Sequence, residues 1–296
     1  MEKTFMNPKR SKLIRKIVLT AIAVLLALIA LAPYYWSILI SFRPQSEIYT
    51  NRSWFFTSFT FEHYKNVFEN VPIFQYFFNT LFLTLVNVVT NLLFASMAAY
   101  GFEKLRFRGS NVIFKIMMTS MMLPGIATTV PTFLLLRSFP LVGGNDILGR
   151  GGFGFIGTFL GVLLPGTVGV YGVFFMRQFL IPASSEFAEA ARIDGAGEFR
   201  IFLQIYMPML VPALLTLGIF CFQGVWNSYM WPNLILQGHE ELSVLTMAIR
   251  NYSLETNFQY GPMMAMSILM SIPIIVVFCA MQKYFINGVA VGGIKG

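Results

Sequence analysis

Charge is what this chain has least of. Lys, Arg, Asp and Glu make up 11% of its 296 residues, and 56% are hydrophobic, whereas soluble domains carry roughly 25% charged residues. Such a composition cannot cover a water-facing surface, so an all-α membrane protein with several spans is expected. Cysteine and histidine are as scarce, two of each. Cys221 and Cys279 fall inside apolar runs and His63 and His239 outside them, so no metal-ligating cluster is expected. The same scarcity leaves no convergent His, Asp or Glu set for a membrane enzyme. No Gly-x-x-x-x-Gly-Lys-Ser/Thr stretch occurs, which removes the phosphate-cradling loop of an ATPase. Gly149-x-Gly151-x-x-Gly154 matches a dinucleotide fingerprint in letters only. No strand precedes it, and it reads as a flexible loop.

The net charge of +8 would suggest a nucleic-acid partner if the Lys and Arg shared one solvated face. They do not, and no nucleic acid is expected. Lys3, Lys9, Arg10, Lys12, Arg15 and Lys16 crowd the first 16 residues, and an apolar run at 17–40 follows, about the ~20 residues a bilayer core needs. That run lacks a cleavage site and reads as an uncleaved first span. Further spans are expected at about 77–102, 111–136, 156–176, 208–230 and 262–282. The third carries Pro124 and Pro131, expected to kink a continuous helix.

Six spans put both termini on one side. With that register, fifteen of the twenty-one Lys and Arg fall on the same side; only Arg43, Arg52, Lys65, Arg137, Arg150 and Arg250 lie opposite. The bias predicts cytoplasmic termini. Residues 42–75, 143–154 and 237–261 become external loops. The spans hold almost no ionisable groups and show no internal repeat, which argues against an ion-coupled secondary transporter.

Two polar features stand out in the apolar background. Thr80, Thr84, Asn87 and Asn91 recur at helical spacing on one stripe of the second span, so they face protein or a wet cavity. Interhelical hydrogen bonding and the lining of a solute path both fit. Trp226 and Asn227 open the run Trp-Asn-Ser-Tyr-Met-Trp-Pro at the end of the fifth span. An interfacial aromatic belt and a surface for stacking sugar rings both fit there.

The stretch 182–208 gathers Glu186, Glu189, Arg192, Asp194 and Glu198 among small residues between two spans. Pro182 and Ser184 or Ser185 suit a helix start, and Gly195 suits a left-handed stop. Glu189-Ala190-Ala191, then Gly195, then Ile205-x-Met207-Pro208 resembles the Glu-Ala-Ala loop of ABC importer permeases, with Met207 in place of the usual Leu. Met176-Arg177-Gln178-Phe179, Trp226-Asn227 with Trp231-Pro232, and the terminal Gly288-x-x-x-Gly292-Gly293-Ile-Lys295-Gly296 resemble the carbohydrate-uptake branch, and within it the smaller permease subunit of maltose-type systems.

The resemblance implies a type I ABC importer permease fold with six transmembrane helices in a bacterial inner (plasma) membrane. It divides the chain into a cytoplasmic segment 1–16, a first helix 17–40, a permease core 75–283 containing the coupling loop, and a cytoplasmic tail 284–296. It implies a homologous second permease subunit, a cytoplasmic ATPase dimer and an extracytoplasmic solute-binding protein. ATP and Mg²⁺ then belong to the ATPase, with no cofactor and no catalytic residue in this chain. Glu189, Ala190, Ala191, Gly195 and Pro208 become ATPase-coupling residues. Asn87, Asn91, Trp226 and Asn227 become candidates for the path of a sugar, neutral or acidic. A permease of the same superfamily for an amino acid or an ion is the nearest alternative.

Overall fold

The computed structural model describes residues 8–254 and 259–293, with side chains described for 12–250 and 259–282. The basic side chains at 3, 9 and 10 and the glycine-rich tail motif lie outside the described side chains. Every regular element among the described residues is helical: α1 (Pro8–Ser41), α2 (Glu62–Asn70), α3 (Ile73–Tyr100), α4 (Ser110–Ser120), α5 (Gly125–Arg137), α6 (Phe159–Leu163), α7 (Val170–Leu180), α8 (Glu186–Ile193), α9 (Glu198–Ile201), α10 (Met207–Trp226), α11 (Met230–Leu236), α12 (Leu245–Leu254) and α13 (Tyr260–Gly293). Short 3₁₀ or π turns extend α3, α6 and α9. Among the described residues five stretches are long and apolar enough to cross a bilayer: Lys12–Ser41, Ile73–Leu105, Phe159–Leu180, Glu198–Trp226 and Tyr260–Gln282.

The sixth crossing expected at 111–136 is not one kinked helix. α4 and α5 meet at 106°, and six crossings are reached only when this bent pair counts as one. Pro124 explains the break. It has no N–H to continue α4, and it pushes the residue before it out of the helical region. Pro124 then stands extended at the start of α5, with ψ 129°. Pro131, by contrast, lies inside α5 without ending it.

Two further expectations are corrected. The segment 237–261 contains a helix, α12, so it is not simply a loop. The glycine-rich segment 143–154, expected as a flexible loop, is cross-braced by hydrogen bonds from its own side chains. Asn145 is buried and donates from Nδ2 to the Arg137 and Phe139 carbonyls at 2.8 and 3.0 Å, and its Oδ1 accepts from Gly152 N at 2.8 Å. Asp146 Oδ1 takes the Leu148 and Arg150 amides, both at 2.8 Å. Asn and Asp side chains bonding nearby backbone are the usual staples of tight turns, and here they close the loop on itself.

The described residues form two compact units, 8–71 with 251–254 and 259–269, and 72–250 with 270–293. In the first, Arg43 is buried; it donates to the Ser53 carbonyl at 2.7 Å, and its own carbonyl accepts from His63 Nε2 at 2.8 Å. Phe42 stacks on Phe59 at 4.7 Å. In the second, α3, α7 and α10 pack through small and aliphatic side chains, among them Ala95, Ala99, Val173, Met176, Ala213 and Leu217, all buried. Small residues let membrane helices approach closely where lipid offers no hydrophobic drive.

Candidate functional site

The first candidate lies between α7 and α10. α8 starts with the Glu186 amide donating to Ser184 Oγ at 3.2 Å, and it ends at Gly195 with φ +82°. Gly195 N bonds the Arg192 carbonyl at 3.0 Å and Ala196 N the Ala191 carbonyl at 2.9 Å. That pair of bonds is a Schellman stop. α9 then leads through a π turn (Phe202–Tyr206) into α10, whose second residue is Pro208.

α8 has an inverted character. Its small residues turn inward, with Ala188 buried and Ala191 packed on the core. Its large apolar residues face out, Phe187 at 66% and Ile193 at 87% exposure, joined by Phe199 at 64%. Of the Glu-Ala-Ala triplet only Glu189 and Ala190 therefore lie on the open face, beside Gly195. Ala191 fills core space. The exposed Phe187, Ile193 and Phe199 escape a sequence reading because the apolar side of an amphipathic helix is ordinarily read as its core-facing side.

Charged contacts tie this loop to the end of α3. Glu198 accepts the Tyr100 hydroxyl on one oxygen at 2.5 Å and Arg192 Nε on the other at 2.7 Å. The same carboxylate pushes Arg192 further above its usual range. Glu103 is buried between Arg106 at 2.9 Å and Arg177 at 3.0 Å, and Arg177 lies 4.0 Å over the Phe114 ring. Lys104 Nζ donates to the Ala183 carbonyl at 2.6 Å.

The second candidate is a cavity of about 270 Å³ bordered by α3, α6, α11 and the end of α10. The predicted stripe on α3 faces protein throughout, with Thr80, Thr84, Asn87 and Asn91 all buried. Thr80 donates to the Tyr76 carbonyl at 2.6 Å and accepts from Leu245 N at 3.0 Å. Asn91 donates to the Gly166 carbonyl at 3.1 Å. Both are interhelical or local glue, as one of the two readings has it. Asn87 differs. It is 7% exposed and borders the cavity, and among the described residues its amide has no hydrogen-bond partner. It rests against Gly166, where a Cβ would stand 2.3 Å from Nδ2. Thr84 Oγ1 is likewise buried without a partner among the described residues.

The aromatic candidate shifts. Trp226 is wholly buried, its Nε1 donating to the Met270 carbonyl at 2.9 Å and its ring stacked on Phe222 at 5.4 Å. It has no face free for a solute in this arrangement, because it closes the packing of α10. Asn227 is exposed and ends α10, and it does not border the cavity. Trp231 and Ser228 do. The sequence reading placed Trp231 in the same motif, but burial alone separates the two tryptophans.

Helices of this length, packed around a mainly apolar cavity with a charged turn between two of them, make the molecule a polytopic membrane protein. The chain belongs to the family of binding-protein-dependent transport system inner membrane components, which it matches over residues 91–291. It is 32% identical to the arabinooligosaccharides transport system permease protein AraQ of Bacillus subtilis (strain 168), over 95% of this chain and 96% of that protein. It is 27% identical to the lactose transport system permease protein LacG of Rhizobium radiobacter, over 92% and 93%. Among solved structures it is similar to a bacterial ABC transporter involved in the import of the acidic polysaccharide alginate, with a TM-score of 0.79 and 26% identity, over 96% of this chain and 100% of that one.

Proposed function

We propose that the chain is one permease subunit of an ATP-driven oligosaccharide importer. It forms half of the translocation pathway beside a homologous second permease. A cytoplasmic ATPase pair drives it, and an extracytoplasmic solute-binding protein delivers the sugar. The observation that carries this reading is the open face of the 186–198 turn. Glu189, Ala190 and Gly195 lie there with Phe187 and Ile193 exposed, an apolar and acidic surface built between two spans and suited to a partner protein. Relatives named for arabinooligosaccharides and lactose support a saccharide as cargo.

In mechanism, ATP-driven closure of the ATPase pair moves α8 and α9. The contacts of Glu198 with Tyr100, Arg177 with Glu103 and Lys104 with the Ala183 carbonyl pass that motion to α3, the helix that carries Asn87. The bias of Lys and Arg supports a cytoplasmic position for the turn. The test is uptake of radiolabelled arabinotriose and raffinose by cells with and without this chain, the rest of the system being present. Uptake that requires the chain, and is lost when ATP is depleted, is the expected result. Uptake indifferent to the chain overturns the proposal.

A further inference from the structure

The segment that follows α1 is built inside out. Arg43 is buried, and its guanidinium donates to the carbonyls of Asn51 and Ser53. Glu47 accepts from Asn51 Nδ2 and from the Ser58 hydroxyl, and Asn51 Oδ1 takes the Ser53 amide at 3.0 Å. The polar groups thus pair with one another, while the rings stand outside. Trp54, Phe55, Phe56, Phe59 and Phe61 are all exposed, Phe55 to 76%. No charged residue lies between Arg52 and Glu62. Burying a guanidinium is costly, and a patch of open rings in water forgoes the main drive to fold. Such an arrangement marks a contact surface.

The depth of that surface is set by α1. The Trp54 ring lies 5.0 Å from that of Trp36, and the Trp54 carbonyl accepts the Tyr35 hydroxyl at 2.7 Å. Trp36 precedes Ser41, the end of α1, by five residues, about 7.5 Å along the axis at ~1.5 Å per residue. The chain therefore leaves the helix and turns back to the depth of Trp36. Phe42 carries the rest of the cluster, stacked on Phe59 at 4.7 Å and edge-on to Phe61 at 5.5 Å. The rings are continuous with α1, whose most apolar window is buried by none of the described residues. Aromatic rings near the end of a span concentrate where headgroups meet acyl chains, and that is as deep as an irregular backbone can face lipid.

We propose that residues 54–61 are an interfacial anchor, their rings set among the headgroups and upper acyl chains of the leaflet nearest Ser41, where they hold the end of α1 at its depth. Lipid is the occupant because the surface carries no charge for a soluble partner to pair with and continues an uncovered span. The proposal needs only the membrane class of the chain and is independent of its cargo.

The experiment uses the complete transporter, free of native cysteines, in vesicles of phosphatidylethanolamine and phosphatidylglycerol. A nitroxide is attached through Phe55→Cys, the most exposed of the five rings. Its collision rates are measured with oxygen, which enriches in lipid, and with a nickel chelate, which stays in water. The expected result is a higher rate with oxygen than with nickel. A higher rate with nickel puts the rings in water, and low rates with both put them against protein, a sister subunit or a solute-binding protein; either overturns the anchor. Should Phe55→Cys fail to assemble, the same measurement at Phe61→Cys decides. A second label, at Leu31→Cys in the exposed window of α1, reads the depth of the helix. Replacing Trp54, Phe55 and Phe56 together by serine should shift its ratio of oxygen to nickel rates, and an unchanged ratio overturns the hold on α1. Sugar uptake by the unsubstituted transporter tests the importer reading separately.

Discussion

Tyr100 and Glu198 are joined across 98 residues of sequence, the phenolic hydroxyl donating to the carboxylate at 2.5 Å. The ring of Tyr100 also meets Phe202 and Tyr206, both at 5.3 Å. The last turn of α3 is thus bound to the segment that follows the Gly195 turn by one polar and two aromatic contacts. Arg192 holds the other oxygen of Glu198, so α8, α9 and α3 share a single carboxylate.

Tyr100→Phe keeps the ring contacts and deletes only the hydroxyl, a loss of about 1.5–3 kcal/mol for a hydrogen bond to a charged group. We expect ATP hydrolysis to continue with less sugar imported per ATP. The measurement is the ratio of the two in reconstituted vesicles. An unchanged ratio would mean the contact holds structure and transmits nothing.

Gly195 has φ +82°, and a Cβ there would meet nothing within 4 Å inside the chain. Its requirement for glycine is therefore backbone strain, roughly 1–2 kcal/mol for a side chain, plus whatever a docked partner adds. Gly195→Val should abolish stimulation of ATP hydrolysis by loaded binding protein while the chain still inserts. Glu189→Ala, on an exposed position, should be the milder change. Full stimulation in Gly195→Val would show that the turn is not where the ATPase docks.

Orientation is tested by single cysteines in a background lacking Cys221 and Cys279. Ser184 is exposed beside α8, and Ile147 is 74% exposed at the tip of the 143–154 loop. A membrane-impermeant thiol reagent added to intact cells should label a cysteine at 147 and spare one at 184. The reverse pattern would invert the topology. Asn145, two residues away, is unsuitable because its side chain holds the loop together.

Gly166→Ala places a methyl 2.3 Å from the Asn87 amide nitrogen. The Asn87 side chain can turn aside, so the expected effect is on uptake, not on assembly. If Asn87 lines the sugar path, sugar uptake should fall about tenfold, the scale of one lost hydrogen-bonding group, and the double variant Gly166→Ala with Asn87→Leu should be no worse than either alone. Additive losses would separate the two positions.

Glu47 accepts the Ser58 hydroxyl at 2.7 Å and the Asn51 amide at 3.2 Å. These bonds, that of Ser58 foremost, hold its carboxyl below the ordinary value of 4.5. A depressed folded-state value means the contact stabilises the loop above the unfolded value and is lost as pH falls through the folded one. Hydrogen exchange at residues 51–58 should therefore speed up, beyond its intrinsic pH trend, only below about pH 4.5. Glu47→Gln should remove that pH step, and a step that survives the substitution must come from another group.

The membrane class, the spans and the turn at Gly195 are legible in the sequence because each rests on local chemistry: apolar length, charge bias and a glycine after a polar helix end. What is not legible depends on who packs against whom. Trp226 and Trp231 look alike in sequence, yet one is sealed in the core and the other borders the cavity. Ala190 and Ala191 differ in the same way. Pro124 is visible as an interruption, but a kink and a break of 106° carry the same letters. Asn145 was hidden among glycines whose abundance suggests looseness, while its three hydrogen bonds impose the opposite.

Helix α1 has none of its most apolar window, within Lys12–Ser41, buried inside the chain. Among the described residues no neighbouring side chain reads the shapes of Leu25, Leu28 or Ile29, all exposed. Within this chain that window is constrained by a sum and not by a fit: leucine may drift to isoleucine, valine or alanine so long as the total transfer energy into lipid is kept. One arginine at its centre would cost about 2.5–3.5 kcal/mol on insertion scales. That loss would be felt at the translocon during synthesis, before there is a fold to destabilise.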